Sequence, residues 1–150
     1  MITPHSKPPR KAVHGFMGPY RFLSNFYIEP DGTFVEYEYQ RAKCANWSDR
    51  AKFDTLFAAG TLTPKQAIAI GAKVILRDEW ETKRIDIMTF YVTKKFRDHE
   101  DLRILLQLTG DMHLEETNKW GDTFWGVCGG FGTNVLGEIL MQVRAGLGPL

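Results

Sequence analysis

Asp78-Glu79-Trp80-Glu81-Thr82-Lys83-Arg84-Ile85-Asp86-Ile87-Met88-Thr89-Phe90-Tyr91-Val92-Thr93-Lys94-Lys95-Phe96 is the stretch that decides the fold class. Met88, Tyr91, Val92, Lys95 and Phe96 recur at three- and four-residue spacing, the period of one helical face. Asp78 to Glu81 reads as a capping signature at its start. Just upstream, Thr63-Pro64-Lys65-Gln66 is a capping box with proline at the first helical position, and Gly71 closes that helix. Helical composition also runs from about Glu36 to Trp47, and Ser48 is expected to cap a further helix through Phe57 that Gly60 ends. Downstream, Leu102, Leu105 and Leu106 mark a shorter helix stopped near Thr109-Gly110. Val135, Leu136, Ile139, Leu140 and Val143 give an amphipathic last helix ending by Gly146. Strand signals are few: Asp31-Gly32 as a turn with Thr33 to Tyr37 returning from it, and Phe124 to Val127. The expected class is mainly α, a compact helical bundle with a minor β-ribbon component. Residues 1–14, rich in proline and basic side chains, read as a flexible N-terminal tail, and 15–150 as a single domain.

Bulk composition narrows the function classes. Hydrophobic residues make up 43% of the 150-residue chain and charged residues 25%, ordinary for a soluble globular protein. A net charge of +1 gives no global field for a polyanion, so contact with nucleic acid has to be local. Cys44 and Cys128 have no ligand-like spacing, and His5, His14, His99 and His113 are scattered. Neither a disulfide scaffold nor a metal site is expected. No apolar run approaches the ~18–20 residues that span a bilayer, and no apolar stretch follows the basic N-terminus, so the expected compartment is cytoplasm.

The residues that carry chemistry cluster in four places. Glu36, Tyr39, Gln40 and Lys43 stand at i, i+3, i+4 and i+7, which lines them along one face of a helix. That face offers a carboxylate, a phenol, an amide and an amine. It is either a solvated stripe or a wall poised for acid–base or covalent work, since burial moves lysine and carboxylate pKa values toward neutrality. Ser24-Asn25-Phe26 follows a Gly-Pro turn and offers hydroxyl, amide and ring together. Trp80, Trp120 and Trp125 are either core or faces on which a base stacks. Asp122 lies between Trp120 and Trp125, as a turn residue or a carboxylate kept near rings. Gly129-Gly130-Phe131-Gly132-Thr133-Asn134 precedes a helix whose N-terminus favours anions, though it is neither a Walker motif nor a Rossmann fingerprint.

Together these stretches resemble the NADAR (NAD and ADP-ribose), or YbiA-like, family. The resemblance runs through Tyr20 to Tyr27, Val35 to Lys43, Gly71 with Trp80, Met88 through Lys95-Phe96, and Leu108 to Asp111. It continues through Leu114 to Glu116, Phe124-Trp125-Gly126, and Gly132 to Gly137 with Leu140, Met141 and Arg144. One departure stands out: where the family commonly shows Glu-His-Ala-Tyr-Gln, this chain has Glu36-Tyr37-Glu38-Tyr39-Gln40. No role for a histidine carries over to Tyr37.

The resemblance implies a mostly helical domain that cleaves N-glycosidic bonds without cofactor or metal. Two substrates follow from it: ADP-ribose attached to guanine in nucleic acid, including DNA, and the phosphoribosylamino-pyrimidine intermediates of riboflavin biosynthesis. Glu36, Lys43 and Asp122 are the expected catalytic residues. Glu36 answers positive charge at ribose C1, and Lys43 either holds the sugar as a cation or attacks C1 as a neutral amine. Arg21, Ser24, Asn25, Phe26, Tyr39, Gln40, Trp80, Trp125, Gly126, Gly132 and Asn134 are the expected substrate contacts. A non-catalytic ADP-ribose-binding module is the reading from another class.

Overall fold

A computed structural model describes residues 11–150. Helices dominate, and the chain forms two compact units. Of the stretch expected as tail, Ala12–His14 is a strand, and residues 1–10 lie outside the described residues.

The unit of residues Asn25–Glu100 carries α1 (Val35–Ala42), α2 (Trp47–Ala58), α3 (Pro64–Gly71) and α4 (Trp80–Asp98). α1 packs against each of the other three. Phe34, Cys44, Phe53, Leu62 and Ala67 form one buried cluster beneath it. The Thr63 box forms as read, with Thr63 accepting from the Gln66 amide and Gln66 answering in return. Other boundaries moved. α1 stops at Ala42 rather than Trp47, because Asn46 accepts from the Asp49 amide and starts α2 itself, the role expected of Ser48. At α4 the acidic signature does not cap. Glu79 sits in the left-handed region at φ 59° without a capping side-chain bond, and its carboxylate lies 3.4 Å from Lys83. The turn at Asp31-Gly32 is present, but its return is not a strand: Glu29 and Thr33 close it by a 2.8 Å backbone bond, and α1 begins at Val35.

The other unit holds the residues up to Ser24 together with Asp101–Leu150. Pro19 opens a 3-10 helix over Gly18–Leu23. α5 (Glu100–Leu108) and α6 (Val135–Leu147) bracket four short strands: β1 (Ala12–His14), β2 (His113–Glu115), β3 (Thr117–Asn118) and β4 (Val127–Cys128). Both strand pairs, β1 with β2 and β3 with β4, run parallel and make up the minor β component. α6 packs on β2. Its N-cap, Asn134, is left-handed at φ 55°, and its amide bonds the Leu114 carbonyl and the Glu116 N–H at 3.0 Å each.

Candidate active site on helix α1

Local sequence builds one polar face on α1. Glu36 lies in the first helical turn, where the helix dipole favours a carboxylate, and its N–H donates to the Asn25 carbonyl at 3.0 Å. Gln40 Nε2 donates to Glu36 Oε1 at 2.8 Å. Lys43 is the C-cap, and its backbone is fixed because its carbonyl accepts from Arg77 N–H at 2.8 Å. Side chains on a helix lean toward its N-terminus. Lys43 Nζ accordingly lies over the Tyr39 ring, 5.8 Å from the centroid, one turn nearer Glu36. Tyr39 is buried and its ring meets Trp80 at 5.2 Å and 54°. Burial lowers the Lys43 pKa from the ordinary lysine value, while the charge of Glu36 pulls the other way. The four residues read as one face therefore do share it, half-buried at Glu36 and Lys43 and buried at Tyr39 and Gln40.

Two neighbours hold this face in place. Trp80 is only 5% exposed, so it backs Tyr39 rather than offering a free ring to a base. Gly71 of α3 leaves room for Gln40: a β-carbon there would collide with Gln40 Oε1 and Cδ. Gly71→Ala is expected to cost about 1–3 kcal/mol by overpacking and to pull Gln40 off Glu36. The check is a lower Tm together with a lower kcat. Full activity in G71A contradicts the positioning of Glu36 by Gln40.

Tyr37, at the family's histidine position, points away from this face. It stacks on Phe57 at 4.3 Å and 11° and donates to Asp54 at 2.7 Å, which also binds Arg41 in two-pronged fashion. These groups, with Thr33, Glu38 and Tyr91, line a shallow cavity of about 250 Å³. Of its charges, Arg41 and Asp54 answer each other, and Glu38 pairs with Lys94 at 3.5 Å. In the same unit, Asn25 is buried with Nδ2 3.5 Å from Met88 Sδ, and Phe26 is exposed.

The remaining expected site residues belong to the other unit. Arg21 is exposed in the 3-10 helix and Ser24 caps it. Asp122 Oδ1 accepts from the amides of Phe124 and Trp125 at 3.1 and 2.9 Å, the bonds of a turn aspartate. Trp125 is half-buried and meets Phe124 edge-on at 4.8 Å. Gly126 is buried where a β-carbon would strike the Glu116 carbonyl, and Gly132, at φ 151°, lies against the Gly126 backbone. Gly126 and Asn134 serve close packing of this loop on the Leu114–Glu116 backbone.

A second charged group in the α1 unit was not expected from sequence. Lys95 is 2% exposed, and its Nζ stands 5.4 Å from the Tyr27 ring centroid. Glu29, also 2% exposed, and half-buried Glu38 act on it electrostatically. Burial pushes Lys95 down and both carboxylates up. The signal was present, since Lys95 falls in the apolar stripe of α4 where a lysine has to be buried.

Comparisons with known proteins place the chain in a family. A NADAR domain family model matches residues 16–148. An N-glycosidase of Nostoc punctiforme is 40% identical over 136 residues, covering 84% of this chain and 85% of that protein. A riboflavin biosynthesis protein of Vibrio vulnificus is 44% identical over 69 residues, 45% of this chain but 18% of that larger protein. The NMR structure of the Escherichia coli protein YbiA superposes with a TM-score of 0.76 at 28% identity, covering 96% of this chain and 89% of that one. The chain belongs to the NADAR domain family.

Proposed function

We propose that this protein hydrolyses the bond between a base nitrogen and C1 of a phosphorylated ribose, with Glu36 and Lys43 as its catalytic pair. The observation that carries the reading is a half-buried amine, Lys43, sharing one helical face with a half-buried carboxylate, Glu36, and burial pushes the amine's pKa down. Burial thereby favours the neutral, nucleophilic form of Lys43 over the charged one. Its lone pair attacks C1, and the C1–N bond breaks with its electrons on the base nitrogen, which takes up a proton. Opening of the sugar ring leaves an imine between Lys43 and C1. Water adds to that imine and releases the sugar. Glu36 stabilises the positive charge that builds at C1 and then activates the water.

The substrate we favour is ADP-ribose linked to guanine in nucleic acid, met locally at an unstacked base, because the net charge of +1 suits no broad contact. A phosphoribosylamino-pyrimidine is the second reading, supported by the riboflavin-pathway name of the Vibrio vulnificus relative. Incubation with an ADP-ribosylated guanine oligonucleotide and with the pyrimidine riboside separates them by which one releases free sugar. Release from neither, with ADP-ribose still bound, favours a binding module. The pH profile carries a sign: attack requires the neutral amine, so the rate rises with pH through the Lys43 pKa. That rise is expected to level off below the ordinary lysine value, since burial lowers this pKa. A rate that falls across the same limb contradicts nucleophilic Lys43.

A further inference from the structure

Glu29 and His99 lie far from any ligand-like spacing, yet the fold brings them together with Asp31. The turn that Glu29 and Thr33 close with a 2.8 Å backbone bond carries Glu29 and Asp31, and His99 follows directly after α4. His99 Nε2 is 3.4 Å from Glu29 Oε1 and 3.5 Å from Asp31 Oδ1. All three ligand atoms fall within 4.8 Å of one another. The Glu29 side chain is fully buried, and among the described residues neither of its oxygens has a hydrogen-bond partner; nor does buried His99 Nε2. A buried carboxylate with no donor is costly, so something has to answer it.

We propose that Glu29, Asp31 and His99 form a binding site for a zinc-type divalent transition ion, with water completing the coordination. Three observations choose this class of ligand. Metal–ligand bonds of about 2.0–2.1 Å in a tetrahedron give ligand–ligand edges of roughly 3.3–3.4 Å. The two edges to His99 Nε2, 3.4 and 3.5 Å, lie close to that geometry. An imidazole nitrogen beside carboxylates suits zinc-like ions and not magnesium or calcium, which take oxygen sets. The site also adjoins the C-terminal end of α4, where the helix dipole favours a cation. Asp31 is half-exposed, which leaves an entry path. The ion would pin the Glu29–Thr33 turn, just before α1, to the end of α4. Lys95 in the same unit is the competing neutraliser of Glu29, because its charge also favours the ionised carboxylate.

The test is equilibrium dialysis of the chelator-treated full chain against Zn²⁺, with Asp31→Asn and His99→Gln alongside and their folding checked by circular dichroism. One bound equivalent is expected, with affinity at least tenfold weaker in each variant. Co²⁺ substituted for zinc is expected to give a d–d spectrum without a thiolate charge-transfer band, which separates this site from Cys44 and Cys128. No bound zinc, wild-type affinity in either folded variant, or a thiolate band overturns the proposal. Should His99→Gln unfold, Asp31→Asn decides alone, because its half-exposed carboxylate can be exchanged for an amide without disturbing packing.

Discussion

Lys43→Ala is expected to lower kcat/KM by about a thousandfold, in the range that loss of a positioned proton-transfer or nucleophilic group produces. The size of the effect follows from the role assigned. Without the amine, water has to attack C1 directly, and Glu36 alone stabilises the charge there. Lys43→Arg separates the two jobs of the lysine. Arginine keeps a cation near the sugar but stays protonated and forms no imine. Covalent catalysis predicts that Lys43→Arg is nearly as inactive as Lys43→Ala. A purely electrostatic lysine predicts that arginine restores most of the rate. Stability is a useful control, because Lys43 is only half-buried and its removal leaves the helix cap backbone, fixed by the Arg77 bond, in place.

Lys95→Met is expected to destabilise the protein by about 3–5 kcal/mol, the usual result of removing one partner from a buried charge cluster. Methionine fills a similar volume in the apolar stripe of α4, so lost packing contributes little. What remains is the charge of Glu29 with its buried cation gone, while Glu38 keeps Lys94 at 3.5 Å. Urea unfolding measures the loss. The double variant Lys95→Met with Glu29→Gln is expected to recover part of it, because the amide carries no charge to leave unanswered. Equal stability of Lys95→Met and wild type contradicts an electrostatic role for Lys95 in this unit.

The two catalytic candidates and their helix were legible because they depend on a local period. Glu36, Tyr39, Gln40 and Lys43 share a face whatever surrounds them, and Thr63 with Gln66 caps α3 by bonds that span three residues. Signals that looked local but depend on tertiary context were less faithful. Asp78-Glu79 resembles a cap, yet α4 starts where Trp80 is buried against Tyr39. Thr33 to Tyr37 has strand composition, yet Val35 and Tyr39 turn inward on a helix. Trp80 read as a base platform because a sequence does not distinguish an exposed ring from a buried one. The Glu29, Asp31 and His99 grouping was not legible at all, since His99 lies far along the chain from Asp31 and only the fold closes that gap.

The most direct test of the central claim is borohydride trapping during turnover, followed by peptide mass mapping. Hydride reduction converts the imine into a stable amine, so the sugar becomes fixed to the protein. The expected result is a ribosyl mass on the peptide that contains Lys43, absent from Lys43→Ala. Turnover with no trapped mass, or a mass on Lys94 or Lys95 instead, contradicts attack by Lys43.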